Sequence, residues 1–181
     1  MKYNIIYVDP PWGFKNKKTG GSLKSGAAAH YKTMSIKEMM VLDIGAIAAD
    51  DCVLFMWWVG SQPAEALSLV TAWGFKLKTM TGFVWVKRTK LWKLFFGMGF
   101  WTRAGSECML IGIKGKPKRI NAGIRSVVEA EATMHSKKPD VFAEQIVSLM
   151  GDLPRVELFA RDIKPGWASW GNEVLCDIEI K

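Results

Sequence analysis

The 181-residue sequence is poor in the side chains that build metal centres and disulfide frameworks. It has three cysteines, Cys52, Cys108 and Cys176, with no C-x-x-C pair, and two histidines, His30 and His135. Metal and disulfide readings both fail on that count, and a reduced, cytosolic-type environment is the expectation. No apolar run approaches the roughly 20 residues that a membrane helix needs. No signal peptide opens the chain, because strand-like sequence begins at Tyr3. A cytoplasmic protein with no membrane partner is therefore expected. Internal repeats and linkers are also missing, so residues 1–181 read as a single domain. Acidic residues are the minority: 17 Asp+Glu against 25 Lys+Arg give a net charge of +8 and a pI near 9.4. That balance favours a polyanionic partner.

What is present is a core's worth of apolar side chains, 49% of the chain. The stretch NIIYVDPPWGF, residues 4–14, opens with Ile5, Ile6, Tyr7 and Val8, the β-branched and aromatic run of a short strand buried on both faces. It ends abruptly in an acid, two prolines and a tryptophan. Asp9 then sits at the strand's carboxyl end, where open α/β sheets bind ligands. Two readings stand at this point: a reactive group, or an Asp-Pro turn leaving a strand.

Residues 15–30, KNKKTGGSLKSGAAAH, lack hydrophobic periodicity and read as a loop. Its place directly after Asp9 makes the segment 13–33 an expected lid. MSIKEMMVL predicts a helix capped by Ser35, with Glu38 completing a capping box. CVLFMWWV (52–59) predicts a buried strand, PAEALSLVTAWG (63–74) an amphipathic helix bounded by Pro63 and Gly74, and FKLKTMTGFVWVK a third strand. Further strands are read at ECMLIGIKG (107–115), RVELFAR (155–161) and VLCDIEI (174–180), and a helix over 137–151. Residues 120–137 are ambiguous, read as a strand at RSVVEAEA and a loop through His135. Strands alternating with helices predict an α/β fold of parallel units.

Between Lys87 and Arg103, KRTKLWKLFFGMGFWTR interleaves basic residues with Trp92, Phe95, Phe96, Phe100 and Trp101. Single-strand channels combine stacking aromatics with cations in this way, which makes Lys87, Arg88, Trp92, Trp101 and Arg103 candidate nucleic-acid contacts. A hairpin or helix with its aromatics in the core and its charges in water is the alternative. KGKPKR (114–119) adds an exposed basic turn. The basic residues between Lys87 and Arg119 are expected to set a salt-dependent affinity for nucleic acid.

Proline has no backbone N–H, so DPP leaves carbonyls without competing donors nearby. The Asp9 carboxylate beside the Pro10 carbonyl forms an acceptor-only pair suited to an exocyclic amine, and Trp12 offers a flat face for a base. Both contacts would draw the amine's lone pair out of conjugation. The reaction that needs this is transfer of an electrophilic group to a nucleobase amine by positioning and electrostatics. A target buried in a duplex would have to be flipped.

DPPW after a buried strand, with YKTMSIKEM about twenty residues later, resembles the DPPW family of adenine-N6 methyltransferases. That family includes the catalytic subunit of the messenger-RNA adenine methylase and phage and bacterial DNA enzymes. The likeness continues in order through LFMWWVG, GFVWVK, GSECMLIGIKG, HSKKPD, RVELFAR and GWASWGNE. It implies a Rossmann-like S-adenosylmethionine-dependent methyltransferase fold, with a mostly parallel central sheet, helices on both faces and no metal. It also implies catalytic roles for Asp9, Pro10, Pro11 and Trp12, with Asp9 touching substrate and cofactor alike. Tyr31 matches an active-site tyrosine. Lys138 would reach the cofactor's carboxylate, Glu157 and Arg161 the ribose side, and Asn172 and Glu173 the ribose or adenine.

Departures sharpen the expectation. DIKPGW after ELFAR is shorter than the loop of the messenger-RNA enzyme and lacks its histidine, so Ile163 and Lys164 are not carried over as cofactor contacts. Glu173 replaces a glutamine. The chain begins at the catalytic strand, a minimal form that resembles phage and bacterial members, so DNA is the expected substrate in preference to RNA, in a bacterial or phage-infected cytoplasm. An RNA adenine-N6 methyltransferase and a catalytically silent nucleic-acid-binding homologue are the alternatives, and monomer and homodimer both fit.

Overall fold

The structure is a computed structural model that describes residues 1–13, 33–99, 101–133 and 137–180. Its centre is β1 (Tyr3–Val8), flanked by β2 (Ala48–Trp58) on one side and β6 (Arg155–Leu158) on the other, both parallel to it. With β3 (Lys76–Arg88), β4 (Ser106–Lys114), β5 (Val127–Glu131) and β7 (Ala168–Trp170) they form one seven-stranded sheet of order β5-β3-β4-β2-β1-β6-β7. Only β4 runs against its neighbours β2 and β3, so the described sheet is mostly parallel, as expected.

Alternation along β1 divides the interior in two. Ile6 and Val8 enter one core with Leu54, Met56, Val156 and Leu158, covered by Met39 of α1 (Ile36–Met40), Ile44 of α2 (Ile44–Ile47), and Ala66, Leu69 and Val70 of α3 (Pro63–Ala72). Ile5 and Tyr7 enter the other with Phe55, Trp57, Phe83, Trp85 and Met109, under Phe142, Ala143, Ile146 and Met150 of α4 (Val141–Met150). Helices thus cover both faces. The helix signals behave as their chemistry dictates. Ser35 Oγ accepts the Glu38 amide while the Glu38 carboxylate accepts the Ser35 amide, a complete capping box. Pro63 opens α3, and Gly74 and Gly151 follow α3 and α4 with positive φ.

One strand expectation is met and one corrected. The RSVVEAEA stretch supplies β5, pairing parallel with the end of β3. VLCDIEI forms no strand: the sheet ends at β7, where the Asp177 carboxylate takes the Ser169 amide at 2.8 Å and its hydroxyl at 2.9 Å. The Asp177 amide donates in turn to the Ser169 carbonyl at 2.9 Å, and pairing with β7 goes no further into a strand. Ile178 and Ile180 pack on the core without pairing. Among the described residues, no helix is long and apolar enough to cross a membrane.

Candidate active site

The reversal of β4 decides what gathers at the sheet's ligand-binding end. Its parallel neighbours bring their carboxyl ends there, whereas β4 brings its amino end, and Glu107 joins the same rim as Asp9. Asp9, Glu107 and Glu157 share the α4 face, because Tyr7, Met109 and the gap between Val156 and Leu158 fix their parity. Lys138, just before α4, inserts its ammonium between the first two, 2.6 Å from Asp9 Oδ2 and 3.3 Å from Glu107 Oε2. Lys87 binds the other oxygen of Glu107, giving the alternating chain Asp9, Lys138, Glu107, Lys87. Beneath it the Trp57 ring lies 5.3 Å from the Lys138 ammonium, and the Trp57 indole donates to Tyr7 Oη at 2.8 Å.

Burial works against every charge here, and the pairing decides the outcome. Burial pushes the Asp9 carboxyl above its usual range, and Lys138 only partly offsets it. Glu107 is also penalised by burial, but Lys138 and Lys87 together hold it below the usual carboxylate value. Lys138, with two carboxylates, is held above the ordinary lysine value despite its burial. Tyr7 is pushed well up by burial and stays a neutral phenol.

The DPPW turn is held from several directions. The Trp12 amide donates to the Pro10 carbonyl at 2.8 Å, the Met34 amide to the Pro11 carbonyl at 3.1 Å, and Gln62 Nε2 to the Gly13 carbonyl at 2.9 Å. Two expectations change as a result. The proline carbonyls are not free of donors, and Pro10 keeps only its second lone pair for a ligand. Trp12 is not an open stacking face: it is 3% exposed, and its indole donates to the Trp57 carbonyl at 3.2 Å. An aromatic body with one polar tip serves as a buried peg when a carbonyl lies within reach. Tyr31 and residues 14–32 of the expected lid lie outside the described residues.

At the neighbouring strand ends, Glu157 is nearly buried, with Lys164 Nζ 2.8 Å from its Oε2. That oxygen is fully buried, with the ammonium as its close ionic partner. Burial pushes the Glu157 carboxyl up and Lys164 draws it back. Arg161 pairs with Glu173 at 2.9 Å beside exposed Asn172. Phe159, with φ 57°, turns the chain sharply after β6, and a Cβ at Gly171 would collide with the Ala160 carbonyl. That close approach requires glycine and brings the ends of β6 and β7 together.

The basic-aromatic segment forms a hairpin extension of β3, bridged at Arg88–Leu94 and Gly97–Ala104. Lys87 is committed to Glu107, and Arg88 holds Glu129 through two bonds of 3.0 and 2.8 Å. Trp92 and Trp101 project into solvent at 57% and 106% exposure, both with left-handed φ, and Arg103 lies over Phe96. The 114–119 turn is exposed as expected, but β4 carries the chain away from the rim, so these cations sit at the opposite end of the sheet, roughly 30 Å away at ~3.3 Å per residue.

Residues 3–173 match the MT-A70 family model. The chain belongs to the MT-A70 family. The family is one of S-adenosylmethionine-dependent methyltransferases, in keeping with the α/β sheet. The chain is 35% identical to Type II methyltransferase M.MunI of a Mycoplasma species, over 96% of this chain and 78% of that one. It is 30% identical to the N(6)-adenosine-methyltransferase MT-A70-like protein of Drosophila melanogaster and 29% to the catalytic subunit METTL3 of Homo sapiens, over 96% of this chain but 27% and 28% of theirs. The chain therefore spans little more than a quarter of those two relatives. Of the residues that the MT-A70 resemblance singles out, the fold brings Asp9 and Lys138 into contact across 129 positions and joins Arg161 to Glu173. It adds Glu107 and Lys164, which the sequence reading left without a role. Their signal was a charge at one residue's remove from an apolar strand or a turn, and only the strand order gave it partners.

Proposed function

We propose that this chain transfers the methyl group of S-adenosylmethionine to the N6 amine of adenine, with DNA as its substrate. The carrying observation is Asp9 at the carboxyl end of β1, fixed by the Trp12 peg and ion-paired to Lys138. Lys138 takes Oδ2, which leaves Oδ1 for the substrate. Asp9 Oδ1 and the second lone pair of the Pro10 carbonyl accept the two N–H bonds of the amine, which turns the nitrogen's lone pair out of the ring's conjugation and toward the electrophile. Lys138 keeps Asp9 ionised against its burial, so the carboxylate is the acceptor for the proton released after methylation.

The cofactor has a fitting cradle. Lys164 occupies the buried Oε2 of Glu157, so a ribose hydroxyl would donate to the other carboxylate oxygen. Around the rim Asp9, Glu107, Asp140 and Glu157 outnumber Lys87, Lys138 and Lys164 by one charge, which complements a ligand of net positive charge. Lys138, Glu157, Arg161, Asn172 and Glu173 are the residues that would hold it. When bound, S-adenosylmethionine supplies the electrophilic methyl group on a sulfonium.

The DNA reading leans on the likeness to M.MunI, most of whose length the chain covers. An RNA reading is favoured instead by the N(6)-adenosine-methyltransferase relatives, of which it covers about a quarter. Labelled-methyl transfer to duplex DNA, single-stranded DNA and RNA, read by nucleoside mass spectrometry, separates the two. Asp9→Asn should abolish N6-methyladenine formation while leaving cofactor affinity nearly unchanged. Full activity in that variant would remove Asp9 from the chemistry.

A further inference from the structure

The loop after β6 contains a lysine that the proposed reaction does not use. Gly166, with φ 75°, and the Trp167 amide, bonded to the Lys164 carbonyl at 3.1 Å, fold residues 164–167 back over the strand. The turn delivers the Lys164 ammonium to Glu157 Oε2 at 2.8 Å, with the more exposed Asp140 at 3.7 Å from its other side. The Lys164 and Glu157 side chains are 16% and 13% exposed, so the pair lies at a burial where an unmatched charge is costly.

We propose that Lys164 is a positioning residue whose ammonium keeps the Glu157 carboxylate ionised and aimed for the hydroxyls of the cofactor's ribose. The proposal rests on the reading of Glu157 as a cofactor residue. The groups facing Glu157 come from every side of it. β1 contributes Tyr7 and Asp9, β7 contributes Ser169 by register, the cap of α4 contributes Asp140, and the following loop contributes Lys164. Tyr7 is neutral, and Asp9 and Asp140 both disfavour a second negative charge. Lys164 is the cation in contact with it among the described residues. Take that ammonium away, and burial together with two acidic neighbours drives Glu157 to hold a proton. A protonated carboxyl offers one fewer acceptor and presents its own donor, so it no longer receives two hydroxyls.

The consequence is a pH signature distinct from simple loss of a contact. The test is calorimetric titration of S-adenosylhomocysteine into the full chain, as wild type, K164M, K164R, E157Q and the double variant, with a thermal melt of each to establish folding. Between about pH 6 and about pH 8.5 the wild type should change affinity by less than about threefold, whereas K164M should bind about tenfold more weakly at the acid end and recover toward wild type at the alkaline end. K164R should restore the flat profile. E157Q should be weak throughout, and adding K164M to it should cost nothing more. Should K164M not fold, K164Q carries the same test. A K164M profile that is flat, whether weakened or not, overturns the positioning role and leaves the cofactor reading intact. E157Q binding like wild type overturns that reading and this inference together.

Discussion

Lys138→Met offers the sharpest reading of the charge chain at the rim. The substitution keeps the aliphatic stem on the Trp57 ring and deletes the ammonium that Asp9 and Glu107 share at 2.6 and 3.3 Å. Removing one partner of a fully buried pair costs about 3–5 kcal/mol, because a charge is left without its match. Here the cost is smaller, since Glu107 keeps Lys87 and Asp9 is free to take a proton instead. An expected loss of about 2–3 kcal/mol near neutral pH translates to roughly 5–10 °C in Tm for a chain of this size. The pH dependence follows from the direction at Asp9. Its folded carboxyl lies above the unfolded value, so ionising it opposes folding; stability is greatest below the unfolded value of about 3.9 and is lost as pH rises through the folded one. Without Lys138 that folded value rises further, so the Asp9 contribution to the gap between variant and wild type opens as pH passes the wild-type folded value and levels off above the variant's. Lys138 itself, held above the lysine range, stays charged throughout and adds no slope below alkaline pH. Thermal melts of wild type, K138M, D9N and D9N/K138M across acid to mildly alkaline pH give the cycle. An equal Tm loss at both ends of the range, or a double variant showing no coupling between the two sites, refutes the account.

Three other outcomes are expected. Trp92→Ala and Trp101→Ala should leave Tm unchanged, since both rings are exposed, and should lower single-stranded nucleic-acid affinity by about 1–3 kcal/mol per lost stack in fluorescence anisotropy; unchanged affinity with an altered sedimentation coefficient would assign the hairpin to a protein contact. Lys116→Ala and Lys118→Ala, at the far end of the sheet, should leave the salt dependence of binding untouched, while Lys90→Ala and Lys93→Ala on the hairpin should each reduce its slope by about one. Trp12→Phe should cost about 1 kcal/mol or more in chemical denaturation for the lost bond to Trp57, and should lower kcat more than cofactor affinity.

Most of the fold was legible because its signals are local. β1, α3 and α4 announce themselves by an apolar run, by Pro63 and by glycines that accept positive φ. Asp9 was legible for the same reason, as an acid wedged between a strand and two prolines. The misreadings arose where a distant group intervened. VLCDIEI has the composition of a strand, yet it meets β7 at Asp177, whose amide and carboxylate both bond to Ser169. Trp12 looked like a platform because nothing nearby in sequence marks the Trp57 carbonyl 45 residues on. Lys87 and Arg88 looked like free cations, yet strand neighbours hand them Glu107 and Glu129. Glu107 was visible as the start of a strand, but its place beside Asp9 depends on β4 running backwards, which no local pattern encodes.

Trp57 touches both sides of the sheet at once. Its carbonyl anchors the DPPW turn through Trp12, while its indole underlies Lys138 and ties to Tyr7. Acceptor and counter-ion therefore share one mounting: a shift of β2 carries both along and preserves the spacing between them. Core substitutions beneath α3 would then reach the chemistry as a lowered fraction of folded enzyme, with each surviving molecule turning over at its ordinary rate.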